Sequence, residues 1–383
     1  MKTVGIICEY NPFHLGHQKQ IDMIRREYGP DAVIVCLMSG NFVQRGMPAI
    51  FDKSLRAEAA IRCGADLVLE LPTGYALSSA EGFAAGGVGI LSPICDVLCF
   101  GCETGDAQRL MNTAQALWSP EFPPILHQEL ESGCSFPTAR QKAVARLGAD
   151  ASLLANPNDI LAVEYCKAIL TQNSAMEVFP IRRAGGYHDT TPDRENPSAT
   201  ALRQLAESGG DWLSYLPAPA REAIRDASIH TLAAGERAIL ARLRTMDMED
   251  FAALPYGSEG LWRKLMGTCR SCATLEDILV ATKSKRYTRT RLDRMVMCAY
   301  LGITDTMLGT PAPYVRVLGL KSAGIPALKK ARETGLFPHT GEKMAHPYQQ
   351  LEQKWDDLYG LFCQDAPEPS GRTDKRRIYL QQE

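Results

Sequence analysis

Thr3-Val4-Gly5-Ile6-Ile7-Cys8-Glu9-Tyr10-Asn11-Pro12-Phe13-His14-Leu15-Gly16-His17 runs from an apolar stretch, through a proline, to two histidines three residues apart. Thr3 to Glu9 is short and almost continuously apolar, as expected of a strand covered on both faces. Pro12 cannot continue a strand interior, so the chain turns there. Gly16 lets a backbone or a phosphate approach with no side chain in the way. A helix predicted over Gly16 to Tyr28 presents unpaired N–H groups and a partial positive charge at its start, which together make an anion site. His14 and His17 share one face of its first turn. There they can donate hydrogen bonds to a phosphate whose charge grows in a transition state. Two loop histidines satisfied by local partners are the competing reading, and the spacing alone names no reaction.

The same alternation continues outward. Ala32 to Met38, Ala65 to Leu71, Asp96 to Phe100 and Glu177 to Ile181 read as strands. Between them Ser54 to Cys63, Ser78 to Leu91, Asp106 to Trp118, Pro137 to Leu147 and Asp159 to Leu170 read as helices. Strand–helix alternation predicts a doubly wound α/β domain with a parallel sheet. Its ligand belongs outside the carboxyl ends of the strands. Tyr187 to Pro197 is polar and proline-rich, a loop expected to close over the site. Beyond about Gly209 the pattern turns helical, in Glu222 to Ile229, Thr231 to Thr245, Ser258 to Cys269, Thr274 to Ala281 and Thr290 to Leu301, with a short α/β tail. Residues 1–205 are therefore expected to form a catalytic α/β domain and 206–383 a mostly helical one.

Composition bounds the function. The 383 residues are 45% hydrophobic and 22% charged, ordinary for a globular chain of two to three domains. Forty-two basic against 44 acidic residues give a formal charge of −2, so any nucleic-acid surface must be a local patch. No run approaches the roughly 18 to 20 apolar residues of a membrane span, and Glu9, Asn11, Pro12 and His14 end the amino-terminal apolar run too early for a signal peptide. The expected location is the cytoplasm. Of the 12 cysteines, Cys8, Cys36, Cys95 and Cys99 lie in apolar runs as packed thiols. Only Cys269 and Cys272 have metal-clip spacing, without an obvious second pair.

Beyond the first loop, further stretches stand out: Met38-Ser39-Gly40-Asn41-Phe42-Val43-Gln44-Arg45-Gly46, Asp52-Lys53 with Arg56-Ala57-Glu58, Gly64-Ala65-Asp66-Leu67-Val68-Leu69-Glu70-Leu71-Pro72, Phe100-Gly101-Cys102-Glu103-Thr104-Gly105 and Ser198-Ala199-Thr200-Ala201-Leu202-Arg203. The first loop resembles the signature of the HxGH nucleotidyltransferase superfamily, whose fold is Rossmann-like. The full set resembles the bacterial tRNA(Met) cytidine acetate ligase family. That resemblance implies a two-step reaction, in which acetate and ATP give acetyl-adenylate and the acetyl group then passes to N4 of the wobble cytidine of elongator tRNA(Met).

It also implies residue roles. The ATP cradle is Ile7, Cys8, Glu9, Tyr10, Asn11, Pro12, Phe13, His14, Leu15, Gly16, His17, Gln18, Lys19 and Gln20, with His14 and His17 at the α- and β-phosphates. Gly101 is expected where a side chain would collide with adenosine, or is simply a strand-end turn. Asn158 is a nucleotide contact or a helix cap, with Asn156 a weaker candidate. Arg182 and Arg183 point to the same rim, where their fork geometry suits phosphate or ribose. Ser198, Thr200 and Arg203 resemble the superfamily's second phosphate-binding element, and Ser198 equally reads as a plain N-cap. His14, His17 and Arg203 are the catalytic candidates. Asn41, Gln44, Arg45, Lys53 and Arg56 form a polar cationic cluster for acetate or tRNA. Glu9 and Glu103 orient a base, an amine or a metal, or serve structural hydrogen bonds. Cys8 stands where the family leads one to expect an aliphatic residue. A covalent relay and a packed side chain are its two readings. ATP chemistry commonly brings Mg²⁺, but no acidic cluster names its ligands.

Lys283-Ser284-Lys285-Arg286-Tyr287-Thr288-Arg289-Thr290-Arg291-Leu292-Asp293-Arg294 carries six cations and one acid, a local charge of +5. Such concentration is a phosphate-backbone footprint, with Tyr287 placed to stack on an unpaired base. Lys264, Arg372 and Lys375 to Arg377 extend the track. A solvated helix face is the alternative. Two other functions share parts of this pattern: a small-molecule adenylyltransferase of the pantetheine-phosphate or nicotinamide-mononucleotide type, and a non-catalytic RNA-binding protein. The first leaves the +5 run unexplained; intact His14, Gly16, His17 and Arg203 argue against the second.

Overall fold

The computed structural model describes residues 1–183, 197–308, 315–333, 338–339, 347–371 and 378–381. Ten strands occur among them: β1 Thr3–Cys8, β2 Val33–Ser39, β3 Phe42–Val43, β4 Met47–Pro48, β5 Leu67–Leu71, β6 Val97–Cys102, β7 Glu177–Arg182, β8 Val315–Lys321, β9 Pro338–His339 and β10 Tyr379–Gln381. Eight of them form one sheet in the order β10-β8-β5-β2-β1-β6-β7, with β9 on β8, and β3 pairs β4 as a separate hairpin. The five strands from β5 to β7 run parallel, in register from Thr3↔Val33 to Cys8↔Met38 at the centre. Every residue of β2 and β5 is buried, which follows from helices covering both faces.

Strand alternation sorts the core into two layers. Val4, Ile6, Ile34, Cys36 and Val68 face the helices Leu15–Tyr28 and Lys53–Arg62, where Ile21, Ile24, Ala57 and Ile61 pack on them. Ile7, Val33, Val35, Leu37 and Leu69 face the opposite way, onto Ala80–Leu91, Ala107–Trp118 and Pro157–Thr171. The strand order reverses at β1 and β6. Their carboxyl ends therefore frame the crevice of a doubly wound sheet, and they lead into the His14 loop and the Gly101–Gly105 turn.

Residues after 206 are mostly helical but do not stay apart from the sheet. β8 lies antiparallel on β5, pairing Val68 with Gly319, and β10 lies parallel on β8. The helices build a second core around Ile239, Phe251, Leu265, Ile278, Leu292 and Phe362, and Phe42 and Leu77 of the first part enter it. A helix over Phe122–Glu131, begun by Pro123 and Pro124, was not expected from sequence. No helix among the described residues is long and apolar enough to cross a membrane. The polar loop expected from Tyr187 lies outside the described residues up to Asn196, as do Arg372 and Lys375 to Arg377.

Candidate active site

His14 is the N-cap of the first helix, in extended conformation. Its Nδ1 accepts the Gly16 N–H at 3.1 Å, and His17 Nδ1 accepts the His14 N–H at 3.2 Å, a reciprocal capping box made of two imidazoles. The rings stack with centroids 3.7 Å apart. Because each Nδ1 accepts, each neutral ring carries its proton on Nε2. Burial, then the charges of Arg183 and Arg203, lowers the His14 pKa to about 3. Burial, then His14 and Arg183, holds His17 well below its ordinary 6.5. Both rings are therefore neutral at pH 7, and each has an Nε2–H not used by its own cap. Tyr10 and Phe13, both buried, meet the His17 ring at 4.9 and 5.5 Å and hold it in place.

Gly16 is required by this cap itself. A Cβ there would lie 2.9 Å from His14 Cε1 and 3.1 Å from His14 Nδ1, in the space the imidazole occupies. At Gly101 a Cβ would meet Arg183 Cγ and Cδ at 3.2 and 3.3 Å, so this glycine also gives room to the Arg183 side chain. Arg183 N donates to Cys102 O at 2.8 Å, which carries the β6–β7 ladder to the rim.

Arg203 donates to Asn11 O at 2.8 Å and to Thr200 Oγ1 at 3.2 Å. It thereby ties the helix Ala199–Glu207 to the first loop. Ser198 Oγ caps that helix by accepting Ala201 N–H at 3.1 Å. Asn11 Oδ1 accepts Ile50 N–H at 2.8 Å, while its Nδ2 is buried with no hydrogen-bond partner. The crevice thus gathers two guanidinium groups, two neutral imidazole donors and a helix amino terminus. Such a set suits a polyanion.

Other cradle candidates face elsewhere. Ile7 packs into the core. Gln18 Nε2 donates to Asp22 Oδ1 at 2.9 Å and Cys63 O at 3.1 Å, and Gln20 Nε2 reaches Cys99 Sγ at 3.5 Å. Lys19 is exposed and Leu15 half-buried on the helix's first turns. Glu9 Oε1 accepts Gln44 N–H at 2.9 Å, so the carboxylate braces the β3–β4 hairpin. Burial, then Cys36, pushes the Cys8 thiol well above its ordinary range, leaving no thiolate for an acyl relay at neutral pH. Cys8 is half-buried and packs against the core layer of Val4, Ile6 and Cys36.

Asn158 N and Nδ2 donate to Glu103 Oε1 at 3.3 and 2.7 Å, and Asp159 N donates to Glu103 Oε2 at 2.7 Å. In return Asp159 Oδ1 accepts the Glu103 and Thr104 N–H groups at 3.0 and 2.9 Å. This two-way clamp fixes the turn after β6, and Asp159 was not singled out from sequence. Asn156 is the N-cap residue but makes no side-chain cap bond. Arg182 is exposed at the end of β7, its Cβ lying against Gly105.

The acetate-or-tRNA cluster needs correction. Lys53 is buried, with Nζ 2.6 Å from Glu70 Oε1 and 2.7 Å from Asp356 Oδ2. Asn41 joins the same network through Asp356 Oδ1 at 2.9 Å and Lys53 N at 2.8 Å. Arg56 is buried and donates to the carbonyls of Phe51 at 2.9 Å, Glu9 at 2.5 Å, Ser39 at 3.1 Å and Gly40. These three hold the chain together and present nothing to a ligand. Gln44 and Arg45 remain half-buried at the edge, and Arg45 is close enough to act on the charge of Arg203.

The basic run is also partly consumed. Tyr287 is buried, with its hydroxyl on Glu259 at 3.1 Å, and does not offer a free stacking face. Arg289 is held by Glu276 at 2.7 and 2.6 Å and by Asp293 at 2.8 Å. Arg291 donates to Tyr256 O at 3.0 and 2.8 Å and lies over the Tyr287 ring. Lys264, Lys283, Lys285 and Arg286 stay exposed. Cys269 and Cys272 line a cavity of about 300 Å³ with Arg244 and Arg270, a cationic setting unsuited to a metal.

Comparison with known proteins agrees with this geometry. The HIGH nucleotidyl transferase family matches residues 1–374. The tRNA(Met) cytidine acetate ligase of Clostridium acetobutylicum is 34% identical over 361 residues, covering 88% of this chain and 89% of the relative. That of Thermosipho melanesiensis is 34% identical over 388 residues, covering 94% and 91%. Crystal structures of Thermotoga maritima TmcAL, apo and bound with alpha-thio ATP, superpose with TM-scores of 0.91 and 0.87 at 29% identity over the whole of both chains. With a capping box of paired imidazoles at the carboxyl end of β1 and relatives of this similarity along nearly its full length, the chain belongs to the tRNA(Met) cytidine acetate ligase family of HIGH nucleotidyl transferases.

Proposed function

We propose that this chain is an ATP-dependent ligase that acetylates N4 of the wobble cytidine of elongator tRNA(Met) in the cytoplasm. One observation carries the reading: both Nδ1 atoms accept backbone N–H groups, which leaves two neutral Nε2–H donors beside Arg183 and Arg203. In the first step an acetate oxygen attacks the α-phosphorus of ATP, the bond to the bridging oxygen breaks, and pyrophosphate leaves. Fixed N–H donors and guanidinium groups lower the repulsion between the carboxylate and the triphosphate and stabilise the charge that develops on the phosphoryl oxygens. Arg203, which donates to Asn11 O and Thr200 Oγ1, retains the departing pyrophosphate in this reading. In the second step the cytidine amine attacks the acetyl carbonyl, AMP leaves, and the amine loses a proton. Neutral imidazoles donate to phosphate without trapping a positive charge there once the anion has gone.

Residues 1–205 carry this chemistry, and 206–383 supply the RNA surface through Lys264, Lys283, Lys285 and Arg286. Mg²⁺ finds a poor protein site here: the donors of the crevice are cations and N–H groups, while Glu9 and Glu103 are engaged with backbone amides. The test is to incubate the protein with ATP and labelled acetate, with and without elongator tRNA(Met). Label in acetyl-AMP without RNA and in cytidine with RNA is expected. Pyrophosphate release that depends instead on a phosphorylated small substrate would overturn the proposal.

A further inference from the structure

His230 lies far in sequence from Cys363 and Glu368, and the three meet under the segment that supports the first loop. Their ligand-type atoms all fall within 4.8 Å of one another. Two backbone bonds hold the segments in place: Thr231 N to Phe362 O at 2.9 Å and Gln364 N to Ile229 O at 2.8 Å. The His230 ring stacks on Tyr359 at 4.1 Å, and its Nδ1 lies 3.2 Å from Ser228 O. A carbonyl can only accept, so Nδ1 carries the proton and the neutral ring turns a bare Nε2 lone pair inward. That Nε2 is buried, has no hydrogen-bond partner, and sits 3.5 Å from Glu368 Oε2, which is another acceptor. Two lone pairs face each other beside a buried thiol. A cation between them would resolve the conflict.

We propose that His230 Nε2, Cys363 Sγ and a Glu368 carboxylate oxygen bind a zinc ion, with water as fourth ligand. One thiolate, one imidazole and one carboxylate make a donor set that zinc favours over magnesium or calcium, which prefer all-oxygen shells. Tetrahedral bonds of about 2.0–2.3 Å require the three atoms to draw together by roughly 1 Å. The Nδ1–H to carbonyl bond is the usual outer-shell support of a ligating histidine. On binding, the Cys363 thiol releases its proton to water as the zinc–sulfur bond forms. The ion would act as a staple. It ties the segment after Tyr359 to His230, whose N–H donates to Ile50 O at 2.9 Å. Ile50 N–H in turn donates to Asn11 Oδ1 at 2.8 Å, so the staple braces the loop that carries His14.

The experiment strips the full-length protein with chelator, dialyses it against zinc chloride and measures bound metal by mass spectrometry, with cobalt(II) as a spectroscopic probe. About one zinc per chain, a thiolate-to-cobalt charge-transfer band and a higher melting temperature with zinc than with chelator are expected. Cys363→Ser should abolish the band, and Glu368→Gln, at a partly accessible position, should weaken zinc binding at least about tenfold while the protein stays folded. Cys269→Ser should change nothing. Absence of stoichiometric zinc, which would mean a protonated His230 paired with Glu368, overturns the proposal. So does zinc retained equally by Cys363→Ser and Glu368→Gln.

Discussion

Replacing Gly16 with alanine asks whether the paired imidazoles act through their exact placement. The new Cβ would lie 2.9 Å from His14 Cε1 and 3.1 Å from Nδ1, whereas unstrained carbon contacts settle at about 3.5–4.0 Å. The ring must retreat by roughly half an ångström, and the Nδ1 bond to Gly16 N–H, already 3.1 Å long, opens. Loss of the cap costs about 1 kcal/mol of stability. Misdirecting an Nε2–H donor costs more, on the order of 3 kcal/mol in the transition state, or a hundredfold or more in rate. Single-turnover formation of acetyl-AMP from labelled acetate and ATP reads this loss, with melting temperature and tRNA retention on filters as controls. His14→Ser separates the two roles, because serine is a preferred N-cap but has no donor of that reach. It should leave stability near wild type and abolish adenylate formation. If Gly16→Ala turns over within about threefold of wild type, or His14→Ser keeps its rate, the imidazole is a cap and nothing more.

Three other outcomes follow from the same contacts. The His14 pKa of about 3 and the depressed His17 value mean that no activity limb near pH 6.5 should come from these rings; in the unfolded chain they take up protons below their ordinary pKa, so stability present above it is lost as pH falls from about 6.5 toward 3, at up to about 1.4 kcal/mol per unit for each, and urea titrations should fall more steeply for wild type than for His14→Ser. Asp159→Ala strands the Glu103 and Thr104 N–H groups, so stability should drop by about 2–4 kcal/mol and KM for ATP should rise more than kcat falls, with Asp159→Asn recovering most of both. The double change Lys285→Ala, Arg286→Ala should reduce the slope of log affinity for tRNA against log salt by about 1.5, while Tyr287→Phe, whose hydroxyl serves Glu259, should leave that affinity near wild type.

Local pattern was enough for the parallel sheet. Each of the five expected strands lies within two residues of its observed bounds, because a strand buried on both faces must be apolar along its length. β8 falls in the short α/β tail expected after Leu301, but its place in the main sheet was hidden because its pairing with Val68 spans most of the chain and no local pattern records it. The roles of Lys53 and Arg56 escaped for a related reason. Beside Asn41 and Arg45 they look like a solvent-facing cationic patch, yet Asp356, which satisfies Lys53, lies 303 positions away, and Arg56 is satisfied by strand-end carbonyls that sequence does not show. Tyr287 was misread likewise, since Glu259 sits 28 positions before it. His14 and His17 were legible because a capping box is a local structure, closed within four residues.

The long-range contacts that sequence hides also join the two halves of the molecule. Glu9, at the end of β1, receives Gln44 N–H on its carboxylate. On its other side Gln44 accepts a hydrogen bond on its carbonyl oxygen from Arg294 Nη1 at 3.4 Å. Two positions on, Gly46 has a φ of +74° and lies so close to Asp293 and Arg294 that any Cβ would overlap their backbone. The hairpin of β3 and β4 is thus wedged between the end of the first strand and the helix Arg289–Leu301, whose preceding turn bears Lys283, Lys285 and Arg286. If RNA binds on that turn as proposed, this packing holds its phosphate backbone at a fixed distance from the imidazoles. An enzyme that makes an adenylate on one part and spends it on an RNA bound by another needs such rigidity, because an acyl-adenylate that waits for its acceptor hydrolyses.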